Sequence, residues 1–263
     1  MRIVIIGRGR LATNLEPALR KAGHEVASIN SRTLEDLPQE ADVFIISVKD
    51  SALQEVIGKA TQGREEQLFV HTAGSMPMEV FKGFTTRYGV LYPMQTFSKE
   101  RLVDFREIPV FIETNAEASV VGGFPVDTTP VLLRQLSESI SDHVYELTTE
   151  QRKYLHLAAV FACNFANHCY AMSAEILAHI HLPFDIMLPL IDETARKVHE
   201  LHPLDAQTGP AVRYDENVIQ MQQSLLQDAD MQAIYRLLSQ HIHQLANENH
   251  DQLRLTEDTG HRV

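Results

Sequence analysis

A four-residue apolar run at positions 3–6 leads directly into Gly7-Arg8-Gly9-Arg10-Leu11-Ala12, and this juncture constrains the chain more than any other feature. The spacing is G-x-G-x-x-A. Gly7 permits a tight turn, and Gly9 removes a side chain from the point where backbone would approach a pyrophosphate. Ala12 lets the following helix pack closely on the strand, and the N-terminus of that helix offers free N–H groups to phosphate. A bare glycine turn is the plainer reading. The buried strand before the turn and the helix after it favour a dinucleotide site, with Gly7, Gly9, Arg10, Leu11 and Ala12 as cofactor-binding positions.

The first half of the chain repeats this strand–helix alternation. Residues 3–6, 26–29, 43–48, 68–71, 90–92, 110–112 and 144–147 are short runs dominated by Val, Ile, Leu and Phe. Continuous apolar runs of this kind suit strands buried on both faces. Helical patterns fall at 11–22, 52–59, 78–81 and 131–140, the last after Thr129-Pro130. The expected fold class is α/β: a Rossmann-type, doubly wound, mostly parallel sheet in the order 3-2-1-4-5-6 or close to it. From Thr148 no strand pattern remains. Thr148 and Gln151 form a capping-box pattern that opens a helix reaching toward 181, about 45 Å long, and Pro183 follows it. Further helices are expected at 185–201, 217–227 and 231–247. The predicted division is therefore 1–148 for the dinucleotide-binding domain, 149–250 for an all-helical domain, and 251–263 for a polar tail.

The ends of the strands carry the polar residues, at the carboxyl edge where open α/β sheets bind ligands. After the second strand an NAD site usually carries Asp or Glu for the ribose hydroxyls. Here Asn30-Ser31-Arg32 stands in that place. With no carboxylate to repel a 2′-phosphate and a guanidinium able to bind it, the pattern favours NADP, with Asn30, Ser31 and Arg32 as contacts. Arg32 as a solvated loop residue is the alternative. Ser47-Val48-Lys49-Asp50, His71-Thr72-Ala73-Gly74 and Tyr92-Pro93-Met94-Gln95 end the next strands, which adds Val48, Lys49 and His71 to the expected cofactor site.

Composition excludes several classes. Thirty-five acidic residues against 23 Lys and Arg leave a net charge of −12, the wrong sign for a nucleic-acid partner. The longest apolar run, 157–163, is too short to span a membrane. The chain begins on a strand, which predicts no signal peptide and a cytoplasmic location. Its two cysteines, Cys163 and Cys169, fall on different sides of one helix, so no disulfide is expected. Thirteen histidines include His179, His181, His199, His202, His241 and His243, but no ligand spacing emerges and no metal is expected.

Taken together, GRGRLA, ADVFIISVKDSAL, HTAGS, YPMQTF, HLAAVFACNFANHCYAM and TGPAVRYD resemble the Rossmann-like proteins that carry a helical C-terminal domain of unknown function. That group is similar to pyrroline-5-carboxylate reductase, the deazaflavin-dependent NADP reductases and the 3-hydroxyacid dehydrogenases. The resemblance covers nearly the whole chain up to about residue 250. It implies a two-domain NADP-linked oxidoreductase, often dimeric through its helices, without assigning a substrate class. Hydroxyacid dehydrogenases of similar fold carry a catalytic lysine one helical turn before an asparagine. Val160 stands at that position relative to Asn164, so their mechanism does not transfer unchanged.

The long helix bears the candidate catalytic groups. On an ideal helix His156 and Asn167 share a face, with Lys153 and Asn164 flanking it, among Leu, Ala, Val and Phe. Buried polar groups need partners. His156 would deliver a proton to a reduced carbonyl or imine, and Asn164 would orient the substrate or hold its developing oxyanion. The plainer reading is that a histidine on an apolar helix is a satisfied structural residue, and that asparagines at this spacing tie neighbouring helices together. Arg213, after Thr208-Gly209-Pro210-Ala211, is read either as a ligand for a substrate anion or as the partner of Asp215. The expected function is hydride transfer between NADP and a small carbonyl or imine compound. The alternatives are a non-catalytic NADP sensor or hydride exchange with a deazaflavin. A helix apolar almost all round in its middle predicts a homodimer through residues 150–250.

Overall fold

The computed structural model describes residues 1–116, 120–121, 124–125 and 128–259, and it divides into two compact units, Met1–Phe165 and Ala166–Val263. The first unit contains β1 (Arg2–Ile6), α1 (Arg10–Lys21), β2 (Glu25–Ile29), β3 (Val43–Ile46), α2 (Asp50–Ala60), β4 (Leu68–His71), β5 (Arg87–Pro93) and β6 (Val110–Thr114). A two-residue ribbon of β7 (Val120–Val121) and β8 (Phe124–Pro125) follows, then α3 (Thr129–Ile140), β9 (Val144–Glu146) and α4 (Thr149–Ala159). Each of the seven apolar runs read as strands is one. They form a single sheet in the order β2-β1-β3-β4-β5-β6-β9. β1 through β5 pair in parallel, and β6 turns antiparallel against β5.

This order differs from the expected 3-2-1-4-5-6. The third strand joins β1 rather than extending the sheet beyond β2, and residues 30–42 make the crossing without a helix. Arg64 holds that connection by donating to the carbonyls of Leu37 and Pro38. The strand order therefore reverses at β1, which puts the switch point, and the crevice that goes with it, between the carboxyl ends of β1 and β3.

Alternate residues of the strands feed two cores. Ile3, Ile5, Val43, Ile45, Leu68 and Val70 pack with Ala12, Leu15 and Leu19 of α1 and with Leu133 and Leu136 of α3. Val4, Ile6, Phe44, Ile46 and Phe69 pack with Leu53, Val56 and Ile57 of α2 on the other face. Helices on both faces make the sheet doubly wound, as its uninterrupted apolar strands require. Ala12 is buried in the α1 contact, where a larger side chain would push the helix off the strand.

The capping box at the start of α4 forms as read: the Gln151 N–H donates to Thr148 Oγ1, and the Thr148 N–H donates to the Gln151 side chain. The unit boundary, however, falls after Phe165 rather than at 148. α4 belongs to the sheet because Arg152, on its buried side, is bonded into the loop after β4. Beyond α4 the backbone winds as a π-helix over Val160–Phe165 before α5 (Ala166–His179) begins the second unit. Wider π turns break the regular angular spacing on which the expected polar stripe depended.

The second unit contains helices and no strand among its described residues. It comprises α5, α6 (Leu188–Glu200), α7 (Pro203–Ala206), α8 (Pro210–Arg213), α9 (Glu216–Leu225) and α10 (Ala229–Thr259). α10 continues through most of the segment expected to be a separate tail. A helical backbone needs only its own i→i+4 bonds, so polar side chains do not by themselves end it.

Candidate functional site

The backbone between β1 and α1 is shaped by one close approach. Gly7 has φ +135°, and a Cβ there would sit 2.0 Å from the Ser47 carbonyl oxygen at the end of β3. Its N–H donates to Ile29 at the end of β2 (2.9 Å). Gly7 thus closes the three strand ends together. Gly9 is different: it caps α1 with ordinary φ and ψ, and a Cβ would meet nothing within 4 Å. The space over Gly9 and the first turn of α1 is open, as an approaching phosphate needs.

Arg8 and Arg10 lie on this turn, and Arg32 and Lys49 follow the neighbouring strands β2 and β3. All four are exposed, and among the described residues none forms an ion pair. The Asn30 side chain accepts from the Arg32 N–H (3.1 Å) and sets the loop after β2. Leu11 is half-buried against the first core, and Val48 lies beside Gly7. The expected positions around β1, β2 and β3 therefore come together at one sheet edge.

His71 takes a different place from the one expected. It has no exposed surface, and both ring nitrogens bond within the loop that follows β4. Nδ1 accepts from the Ala73 N–H (3.1 Å), which leaves Nε2–H to donate to the Pro77 carbonyl (3.3 Å). Burial first, and the Arg152 charge second, push its pKa down to about 4. A neutral His71 therefore pins the loop over 72–77 from within.

Two further groups fasten the same loop. Ser75 Oγ donates to Asp50 Oδ2 at the start of α2 (2.5 Å). Arg152, only 1% exposed, donates through one terminal nitrogen to the carbonyls of Ala73 (3.2 Å), Gly74 (3.0 Å) and Met76 (2.8 Å). Its other terminal nitrogen meets Glu113 Oε2 (2.9 Å) and Thr149 Oγ1 (3.1 Å). Both the N–H and the hydroxyl of Thr149 donate to Glu113 (2.6 and 2.8 Å). Sequence reading missed this cluster. An arginine in the first turn of a polar helix reads as surface, and its carbonyl partners lie 76–79 residues away.

Against this loop stands His156, half-buried, with Nδ1 3.0 Å from the Tyr92 hydroxyl. Gly74 lies so close that a Cβ would come within 2.6 Å of His156 Nδ1 and 2.9 Å of Tyr92 Cζ. Asn164 is not part of this arrangement. It is exposed in the π segment, and its side chain has no hydrogen-bond partner among the described residues. Arg213 and Asp215 form no ion pair with each other. Cys163 and Cys169 are free thiols. Among the described residues no group of His, Cys, Asp or Glu is arranged to hold a metal ion, and no helix is long and apolar enough to cross a membrane. A cavity of about 410 Å³ beside β6 and β9, lined in part by Glu113, Thr114, Glu146 and Gln151, contains none of the expected cofactor residues.

A doubly wound sheet with a glycine turn at its switch point defines a dinucleotide-binding protein of the Rossmann class. Comparison with known proteins narrows this. Residues 122–242 match the family described as a domain of unknown function, DUF2520. The chain is 49% identical to BF3122 from Bacteroides fragilis, provisionally named an NADP oxidoreductase, over 92% of this chain and 98% of that one, with a TM-score of 0.83. The chain belongs to this family, the Rossmann-like NADP oxidoreductases with a C-terminal domain of unknown function. More distant structures share the fold. An imine reductase from Streptomyces aurantiacus is 14% identical (TM-score 0.62; 93% of this chain, 94% of that one). The pyrroline carboxylate reductase of Plasmodium falciparum, solved with NADP bound, is 11% identical (TM-score 0.55; 92% and 98%). No curated protein sequence matches the chain.

Proposed function

We propose that this protein is an NADP(H)-dependent oxidoreductase that reduces, or oxidises in reverse, a small carbonyl or imine compound. One observation carries the reading. In a chain of net charge −12, four exposed cations, none ion-paired among the described residues, stand on the glycine turn and just after β2 and β3, at the switch point of the sheet. A dinucleotide pyrophosphate and a 2′-phosphate supply the missing negative charge. When bound, NADPH supplies the hydride. The main chain from Gly7 to the first turn of α1 would hold its pyrophosphate, Ser31 and Arg32 its 2′-phosphate, and Val48 and Lys49 would border it. His156 holds the proton, two strands along the same edge. The family relationship to BF3122 supports the same reading.

Titration with NADP(H) and NAD(H) in one buffer tests it. A charge-assisted contact at the 2′-phosphate is worth about 1.5–3 kcal/mol, roughly ten- to a hundredfold in affinity. The double change Ser31→Asp, Arg32→Ala should abolish that preference. Equal affinity in the unmodified protein would overturn the assignment of Ser31 and Arg32. NADPH oxidation across keto acids, imines and a deazaflavin then separates an enzyme from a sensor that binds and does not turn over.

The working molecule is proposed to be a homodimer joined through residues 150–250. Ile180 in the turn after α5, Leu190 on α6 and Leu225 on α9 are 61%, 63% and 72% exposed. So much apolar surface on one acidic unit favours a second copy of the chain as its cover. Light scattering that returned about 30 kDa, the mass of one chain, would refute this.

A further inference from the structure

Resting on the hydride-transfer reading, we propose that Tyr92 and Gly74 hold His156 in the tautomer protonated at Nε2, and that this neutral donor selects a carbonyl substrate over an iminium. Tyr92 is 9% exposed, and the one partner of its hydroxyl among the described residues is His156 Nδ1, at 3.0 Å in a part-buried contact. Two proton arrangements fit that distance. If Nδ1–H donated to the phenol, the phenolic O–H would be left without an acceptor among the described residues in a part-buried place. If the phenol donates to Nδ1, only a second lone pair is left over. An unmet buried donor is the costlier fault. The phenol therefore donates, and the ring proton resides on Nε2, which has no partner among the described residues.

Gly74 makes the contact possible. Any Cβ at that position would enter the space of both the imidazole and the phenol. Arg152 in turn fixes Gly74 by its carbonyl (3.0 Å). Burial pushes the phenol pKa of Tyr92 up, against the opposing charge of Arg152, so the hydroxyl remains a donor at neutral pH.

The substrate class follows from proton balance. When hydride reaches a carbonyl carbon, the C=O π electrons move to oxygen, which must gain a proton. Nε2–H gives it, Nδ1 takes the phenolic proton, and Tyr92 regains one from water. An iminium arrives positively charged and without a lone pair at nitrogen. Hydride converts it directly to a neutral amine, so it neither accepts from Nε2–H nor needs its proton.

The test reads the ring proton directly. In the full chain at neutral pH, long-range proton–nitrogen correlation NMR, assigned with a His156→Gln variant, should show a single His156 tautomer protonated on Nε2. Tyr92→Phe should introduce the Nδ1–H form. Gly74→Ala should do the same with Tyr92 still present, which keeps the test decisive if one variant folds poorly. With NADPH, Tyr92→Phe should lower turnover of a ketone at least tenfold, leave a preformed cyclic iminium within twofold, and leave NADP(H) affinity within twofold. An Nδ1–H tautomer in the unmodified protein, an unchanged ring in both variants, or equal loss on both substrates would overturn the proposal. Failure to bind NADP(H) at all would instead defeat the hydride-transfer reading, while the tautomer result stands or falls separately.

Discussion

Replacing Arg152 by methionine removes a buried cation while keeping an apolar side chain of similar length. The loss is specific. Three carbonyls of the loop over 73–76 lose their common donor, and Glu113, 13% exposed, loses its ion-pair partner. Breaking a buried pair by deleting one member costs about 3–5 kcal/mol, mostly from the charge left behind. For a cooperative unit of this size each kcal/mol shifts Tm by roughly 2–4 °C, so Arg152→Met should melt roughly 6–20 °C lower. Thermal melts and urea titrations of Arg152→Met, Glu113→Gln and the double variant measure it. Once Arg152 is gone, neutralising Glu113 removes the stranded charge. The double variant should therefore be more stable than the two single losses predict, by about 2 kcal/mol or more. A change under about 1 kcal/mol in Arg152→Met, or strict additivity, would refute the reasoning that this cluster fastens the loop.

The two motif glycines should separate folding from binding. Gly7→Ala places a Cβ 2.0 Å from a backbone oxygen at positive φ and should prevent stable folding. Gly9→Ala meets open space and should leave the melting temperature unchanged or slightly raised, while NADP(H) affinity falls at least tenfold in a fluorescence titration. Equal effects on stability would contradict the division of labour. His71, with its pKa lowered to about 4 in the folded state, binds its proton later than in the unfolded chain. Its contribution is complete above about pH 6.5 and is lost as pH falls toward 4, about 3 kcal/mol in all. Urea titrations over that range should show this slope in the unmodified protein and a shallower one in His71→Gln; identical slopes would rule out the buried neutral ring.

What the sequence determined by itself is what depends on neighbours along the chain. The strands at 3–6, 43–48 and 68–71 were legible because burial on both faces demands uninterrupted apolar residues. The turn at Gly7 and the capping box at Thr148 and Gln151 were legible because each is completed within a few residues. The open helix start at Gly9 and the polar loop at Arg32, where cofactor contacts are proposed, were legible for the same reason. Strand order was not, because the loop over 30–42 is equally able to place β3 on either side of the pair it leaves. Only the tertiary structure made His71 an internal fastener of the loop after β4, and only it put Arg152 among carbonyls 76–79 residues away. The pairing of His156 was decided there too. A periodicity count led from it to Asn164 along the helix. A π segment intervenes after residue 159, and the partner of the ring lies across the fold at Tyr92, 64 positions earlier. Local rules fix backbone conformation because their interactions span a turn or two. A side-chain pair such as Tyr92 and His156 is fixed by the packing of whole elements, which no local pattern encodes.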